Sequence, residues 1–487
     1  MREKKKNGDF MKRKLEYLVA LVSVALILGA SLTETGKKFE YQLYDILLSI
    51  KPAVQERPDI LLVDIDNSAI EQIGDWPWSR DIYADALLRL KEAGASSITF
   101  DIEYLSSGQA GVNRSYVKNV FPSEYRGVHD EILQYINDFT GAVASRNIPL
   151  SFVPETGAEM SGFIDQRLNG FAGSITSNIF RDNDDYFAKA LRFFGNAYLT
   201  VNSAEVNTGA ESLEAVAYAK EHVLRKDVVD PAALIPRENA RTHRESMTTA
   251  GITPAIKLLL SNARGGGFPN VVIDEDGTRR RIELLSKYED GYVAQLVFEP
   301  ILDMLQPEKI ERRGRYLVLV KALVPGKESS GERRDLTIPL DEKGRLLINW
   351  IKKNYLDDED DAKSSFNHLS LYRVRYADEL EEKLIDNLVS IEALSIKNVD
   401  GYLSYHDAVL WLRSSYNDLQ TWKQDLLKGT RDDQTAYFEA RKGFFFDYGQ
   451  FIDGGFNTEI YDTLDRMSKA TGDANAQIRV WDWRYFS

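Results

Sequence analysis

The sequence predicts an α/β protein, a mixed, mainly parallel sheet with flanking helices, carried behind one N-terminal transmembrane helix and followed by an additional C-terminal helical region. Three observations lead there. Residues 15–32 are apolar except for Glu16, Tyr17, Ser23 and Ser31. Residues 60–102 then alternate strand-like apolar runs with an amphipathic helical stretch, the pattern of a βαβ unit. Beyond Tyr376 the apolar spacing becomes helical.

As a helix, 15–32 spans roughly 27 Å, close to the thickness of a bilayer core. Arg2, Lys4, Lys5, Lys6, Lys12, Arg13 and Lys14 precede it, against Lys37 and Lys38 after it. The excess of positive charge keeps residues 1–14 as a cytoplasmic tail and sends the rest of the chain to the extracytoplasmic side, the periplasm if the cell has an outer membrane. A cleaved signal peptide is the competing reading, because Gly29, Ala30 and Ser31 suit a signal peptidase. No other stretch reaches the ~18 apolar residues of a second span. The net charge of −14 argues against nucleic-acid partners. The absence of cysteine excludes disulfides, cysteine-bound metals and thiol nucleophiles.

Residues 33–58 read as a juxtamembrane helix ended by Pro52, with Phe39, Leu43, Ile46, Leu47 and Ile50 in one stripe. That stripe packs either on the domain's own core or on a second copy, continuing the membrane helix into a homodimer. An exported α/β domain over 59–375 follows. It opens with a strand at 60–66, a short helix with capping-box spacing from Ser68 to Glu71, a helix over 80–93 between Ser79 and Gly94, and a strand at 97–102. Further strands are expected at 150–153 and 197–201, with helices between them that include 185–194. Residues 205–250 read as an insertion. A helix over 253–262 precedes Gly265, Gly266 and Gly267, and Asp276-Gly277 marks a hairpin between 270–273 and 280–285. Strands at 316–320 and 346–348 complete the domain. The region 376–487 reads as a separate helical module, with helices at 378–388 and 405–427 and an aromatic end at 481–486.

Two acidic pairs, Asp64 with Asp66 and Asp101 with Glu103, stand at the ends of the first two expected strands, where parallel sheets place ligands. Four carboxylates there could hold Mg²⁺ or Ca²⁺, both of which prefer oxygen ligands. The alternative is that they cap helices and pair with Arg80. Trp76 and Trp78 around Pro77 either line a ligand pocket or pack over a helix N-terminus. The acidic run 357–361 reads as solvated surface and 274–277 as a turn rather than a calcium loop. His129, His222, His243, His368 and His406 are too scattered to form a recognisable site.

The run Ile60-Leu-Leu-Val-Asp-Ile-Asp66, then Trp76-Pro-Trp-Ser-Arg80, then Ser97-Ile-Thr-Phe-Asp-Ile102 resembles the type-two CHASE (cyclase/histidine-kinase-associated sensory extracellular) domain family. The resemblance continues through 267–281, Leu347-Ile-Asn-Trp350 and Phe366-Asn-His-Leu-Ser-Leu371, and covers roughly 39–372. It assigns a sensory role to 59–375 and implies an extracytoplasmic sensor domain behind one membrane helix, feeding a class III adenylate cyclase, a kinase or a diguanylate cyclase. The usual last strand with its Gly-rich turn and the return membrane helices are not found in the sequence. Two readings follow: a piece of a larger receptor, or a stand-alone relative that works through a partner.

The chain shows no Walker A loop, kinase signature, cyclase-like segment or His-x-x-x-His pair, so the expectation is a receptor input that is not itself an enzyme. Its partners would be the lipid bilayer, a second copy, and an unidentified small ligand or extracytoplasmic protein. The alternatives are a stand-alone periplasmic structural or assembly protein, and a metal enzyme centred on Asp64, Asp66, Asp101 and Glu103.

Overall fold

Thr33 begins the first long helix, its hydroxyl accepting from the Gly36 N–H at 3.1 Å, and helix α1 (Glu34–Ile50) runs until Pro52 forbids its continuation. The computed structural model describes residues 17–24, 29, 33–52, 54–113, 116–204, 210–229, 251–274, 276–326, 330–350, 365–392, 404–451 and scattered positions from 458 to 469. Residues 17–24 are helical, and their large apolar side chains are exposed. The rest of the expected membrane span, apart from Gly29, lies outside the described residues. Among those described, no helix is long and apolar enough to cross a membrane.

Strand β1 (Leu61–Asp64) leads into α2 (Asn67–Ile73) and α3 (Arg80–Glu92), and β2 (Ile98–Thr99) follows the turn at Gly94. After β3 (Gly111–Val112) come two long helices, α4 (Phe121–Ala144) and α5 (Val153–Ile179). They meet through rings, with Tyr135 and Phe163 at 4.2 Å and Phe121 and Phe171 at 6.0 Å between centroids. The strand expected at 150–153 is not there: Leu150 is exposed in a turn, and Pro154 sits in the first turn of α5, where its missing N–H costs nothing. Then β4 (Phe180–Arg181) precedes α6 (Asn183–Phe194), capped by Asp182, and β5 (Ala197–Ala204). The supposed insertion holds α7 (Ala210–His222) and β6 (Val228–Val229); 205–209 and 230–250 lie outside the described residues.

The helix expected at 253–262 is shorter, because β7 (Gly251–Pro254) takes its first residues and leaves α8 (Lys257–Leu260). Next come β8 (Gly265–Gly267), β9 (Arg281–Ile282), β10 (Leu285–Tyr288), β11 (Gly291–Ala294), α9 (Phe298–Leu305), β12 (Lys309–Arg313), β13 (Tyr316–Leu323), β14 (Arg333–Pro339), β15 (Leu346–Leu347) and β16 (Asn367–Ser370). The chain continues through α10 (Leu371–Glu392), α11 (Tyr405–Lys428) and α12 (Gln434–Phe451). The aromatic end at 481–486 lies outside the described residues.

Among the described residues the strands form six small sheets with parallel and antiparallel ladders, rather than one mainly parallel sheet. Parallel ladders join β1 to β16, β2 and β8 to β5, and β6 to β12, while the remaining ladders are antiparallel. The βαβ expectation is corrected here: β1 takes its partner from the far end of the chain, Leu61 opposite Asn367 and Asp64 opposite Ser370, and β2 pairs with β5. Apolar periodicity names a strand without naming its neighbour. The Asp-Gly turn forms, with Gly277 at φ +85°, but β9 pairs with β15, and hairpins are instead made by β10–β11 and β12–β13. In β8 three glycines allow close backbone approach; a Cβ on Gly267 would lie 2.6 Å from Leu296 Cα and 2.7 Å from the Ala294 carbonyl oxygen.

The main core joins α3 and α6 to the C-terminal helices, with Leu87, Phe187 and Leu191 in one cluster with Leu412, Tyr437 and Phe444. Helices α10–α12 therefore share a core with the α/β body. A second core fills the β12–β14 sheet around Leu302, Ile310 and Leu319, and a third lies around Val201, Ile252 and Phe268.

Candidate ligand cleft and the seat of the first helix

Asp66 is the N-cap of α2. Its carboxylate accepts from the Ala69 N–H at 2.8 Å, from Ser370 Oγ at 2.8 Å and from Ser68 Oγ at 3.0 Å. Burial opposes its ionisation, yet these bonds outweigh burial and hold its pKa below the ordinary value. Asp64 lies 2.6 Å from His368 Nδ1, whose Nε2 faces the Ser365 carbonyl at 2.8 Å. Spacing did not reveal this pair, because its members come from strands some 300 positions apart that meet only in the β1–β16 ladder. Asp101 is exposed, and Glu103 accepts from Asn202 Nδ2 at 2.7 Å. Asp64 and Asp66 are thus engaged at the β1–β16 ladder, while Glu103 is held by Asn202 on β5 and Asp101 is exposed. Among the described residues no group of three or more acids or histidines is placed to hold a metal ion. The acidic run 357–361 lies outside the described residues.

Trp78 is buried and donates to the Gly74 carbonyl at 2.6 Å, while Trp76 is half exposed and donates to Tyr83 Oη at 3.1 Å across a cis bond to Pro77. Trp78 and Tyr83 join Phe100, Tyr104 and Phe187 in an edge-on ring cluster over the start of α3. Arg80 is buried, pairs with Asp184 at 2.5 Å, donates to the Ser106 carbonyl and lies over the Tyr104 ring. Asp184 also accepts from the Gly108 N–H at 2.9 Å. This element fixes the loop after β2.

Two of the segments behind the resemblance converge on α1. Arg280, 3% exposed, donates to both carboxylate oxygens of Asp45, at 2.8 and 2.5 Å, and also contacts Asp274 and Asp276. Tyr44 Oη donates to the Ile348 carbonyl at 3.0 Å and Lys51 Nζ to Asn349 Oδ1 at 2.6 Å; Tyr41 lies beneath Arg280 and Arg281. The bonds from Arg280 hold Asp45 below its ordinary pKa and Asp276 down to about 2. At about 100° per residue, Tyr41, Tyr44 and Asp45 lie opposite Phe39, Leu43, Ile46 and Ile50. Those four apolar residues, with Leu47, are exposed.

At the other end of α3, a cleft of about 1030 Å³ opens between the Gly94 turn, β16, α10 and α12. A buried ionic cluster forms its wall: Glu381 binds Arg441 at 2.8 Å and Arg89, while Glu92 binds Lys423 at 2.9 Å and accepts from Tyr437 Oη at 2.6 Å. Burial raises the pKa of both glutamates, but neighbouring cations outweigh it and keep them below the ordinary carboxyl value.

Comparison with protein families supplies the class: extracytoplasmic sensor domains of signalling proteins. The chain belongs to the CHASE2 domain family, whose model matches residues 19–397. The match begins before and ends beyond the 39–372 resemblance, and takes in α1 and all of α10. No curated protein and no solved structure matches the chain.

Proposed function

We propose that this chain is the input half of a membrane-anchored receptor, held by residues 15–32 and feeding a class III adenylate cyclase or a kinase. The observation that carries this reading is the seating of α1. One face is bound to the domain through Arg280, Ile348 and Asn349, and the opposite apolar face is exposed. The exposed face continues the apolar run 15–32, so its occupant is a second copy of α1, and the receptor is a homodimer. A ligand that binds two arrangements of this helix pair with different affinity shifts their populations; a bias of about 1–3 kcal/mol is typical.

The domain has no catalytic part in this reading; it senses a small ligand or an extracytoplasmic protein. Because the chain has no cysteine, Leu43→Cys can be oxidised in native membranes without background. The reading predicts a disulfide-linked dimer for substitutions at 43, 46 and 50 and not at 44 or 45; equal crosslinking around the helix contradicts it. Immunoprecipitates from the same membranes should carry cyclase or kinase activity, and absence of both removes the output assignment.

A further inference from the structure

Resting on the sensor reading, we infer that the cleft between α3, α10 and α12 binds a small organic anion, an acidic head on an apolar body. Its lining carries Arg89, Lys91, Arg373, Arg441 and Lys442 against Glu92 and Glu439, an excess of three positive charges. The chain as a whole carries −14. The excess is therefore local, and a recess lined by one sign of charge concentrates counter-ions of the other.

The buried wall does not cancel it. In that wall Arg89 and Arg441 pair with Glu381 and Lys423 pairs with Glu92, so the excess is carried by Lys91 and Arg373 on the lining. The C-terminal end of α3 contributes about half a negative charge, too little to reverse the sign. Lys423 and Tyr437 already hold Glu92, and Arg441 holds Glu381, which leaves these acids little to offer a cationic ligand. Arg373 and Lys91 make no ion pair among the described residues; Arg373 is exposed, and Lys91 lies over the Phe194 ring.

Leu90, Val374, Phe438 and Phe445 supply the apolar remainder. The volume is at the upper end of the roughly 300–1,000 Å³ common for small-molecule sites. Both features exclude a bare inorganic ion as the fitting occupant, since such an ion would leave the apolar lining wet. A carboxylate and a phosphate share the required chemistry.

The test is titration calorimetry of the full chain in zwitterionic nanodiscs, with empty nanodiscs subtracted. The probes are 2-naphthoate, 2-naphthyl phosphate and the neutral 2-naphthylmethanol. At least one anion should bind about tenfold tighter than the alcohol, and the tighter anion identifies the head group. Arg373→Glu should reduce that preference at least fivefold, while the remote, exposed Arg57→Glu leaves it intact. Equal binding of alcohol and anions, no binding of either anion, or a preference that survives Arg373→Glu overturns the inference. Arg373 is exposed, so its variant folds. Sidedness labelling, not calorimetry, decides the sensor reading, and the two fail separately.

Discussion

Replacing Asp45 by Asn loosens α1 from the body without damaging the core. Arg280 donates to both Asp45 oxygens, and hydrogen bonds to a charged group contribute about 1.5–3 kcal/mol. Asp45 is 47% exposed, so solvent screening reduces the contribution to about 1–1.5 kcal/mol. That corresponds to a roughly five- to tenfold change in the ratio of seated to unseated helix. Arg280 keeps Asp274 and Asp276, so no buried charge is abandoned. Amide hydrogen exchange is the assay: amides of 41–50 should exchange about five to ten times faster in the variant, with α3 and β13 unchanged.

The acid dependence has a fixed sign. Because Arg280 lowers the Asp45 pKa in the seated state, the pair contributes fully above the free carboxyl value near pH 4. It is lost as pH falls through the lowered value, so wild type and Asp45→Asn should converge in acid. Unchanged exchange in the variant at neutral pH, or acceleration across the whole body, would refute the reasoning.

Leu43→Asp with Leu47→Asp places charge in the exposed stripe, and sedimentation should show a dimer become a monomer while the melting temperature of the body holds. Arg80→Ala leaves the buried Asp184 carboxylate without its cation; loss of one partner of a buried pair costs about 3–5 kcal/mol, read by urea unfolding. Gly267→Ala pushes a methyl into the Leu296 and Ala294 backbone, and a cost of about 1–3 kcal/mol or more should appear in the same assay. Mg²⁺ and Ca²⁺ should leave the melting temperature unmoved, since Asp64, Asp66 and Glu103 are each held by a different group and these acids form no shared cluster with Asp101; a rise on adding either ion would restore the metal reading.

Local features were the legible ones. Pro52, Ser79 and Gly94 mark real ends of helices, although the Ser79 hydroxyl accepts from Asn183 instead of capping, and the apolar runs at 61–64 and 197–201 are strands, because backbone breakers and side-chain period act over a few residues. Partnership was not legible: β1 finds β16, and His368 finds Asp64, only once the chain has closed on itself. The run 150–153 was misread because four residues of mixed polarity cannot distinguish a strand from a turn before a proline-led helix. The Trp76–Arg80 element was recognised as a motif, but only the structure shows Arg80 turned inward to Asp184. The cationic cleft draws its lining from three separate parts of the chain, so no local pattern announced it.

The central claim is that the body of this chain lies outside the cytoplasm behind its N-terminal segment. Single cysteines at Leu150, which is exposed, and at Lys5, in the basic tail, test it against a background free of native thiols. With a membrane-impermeant maleimide applied to cells whose outer barrier is opened, the account predicts labelling at 150 before lysis and at 5 only after lysis. Labelling at 5 before lysis, or at 150 only after it, would contradict the account.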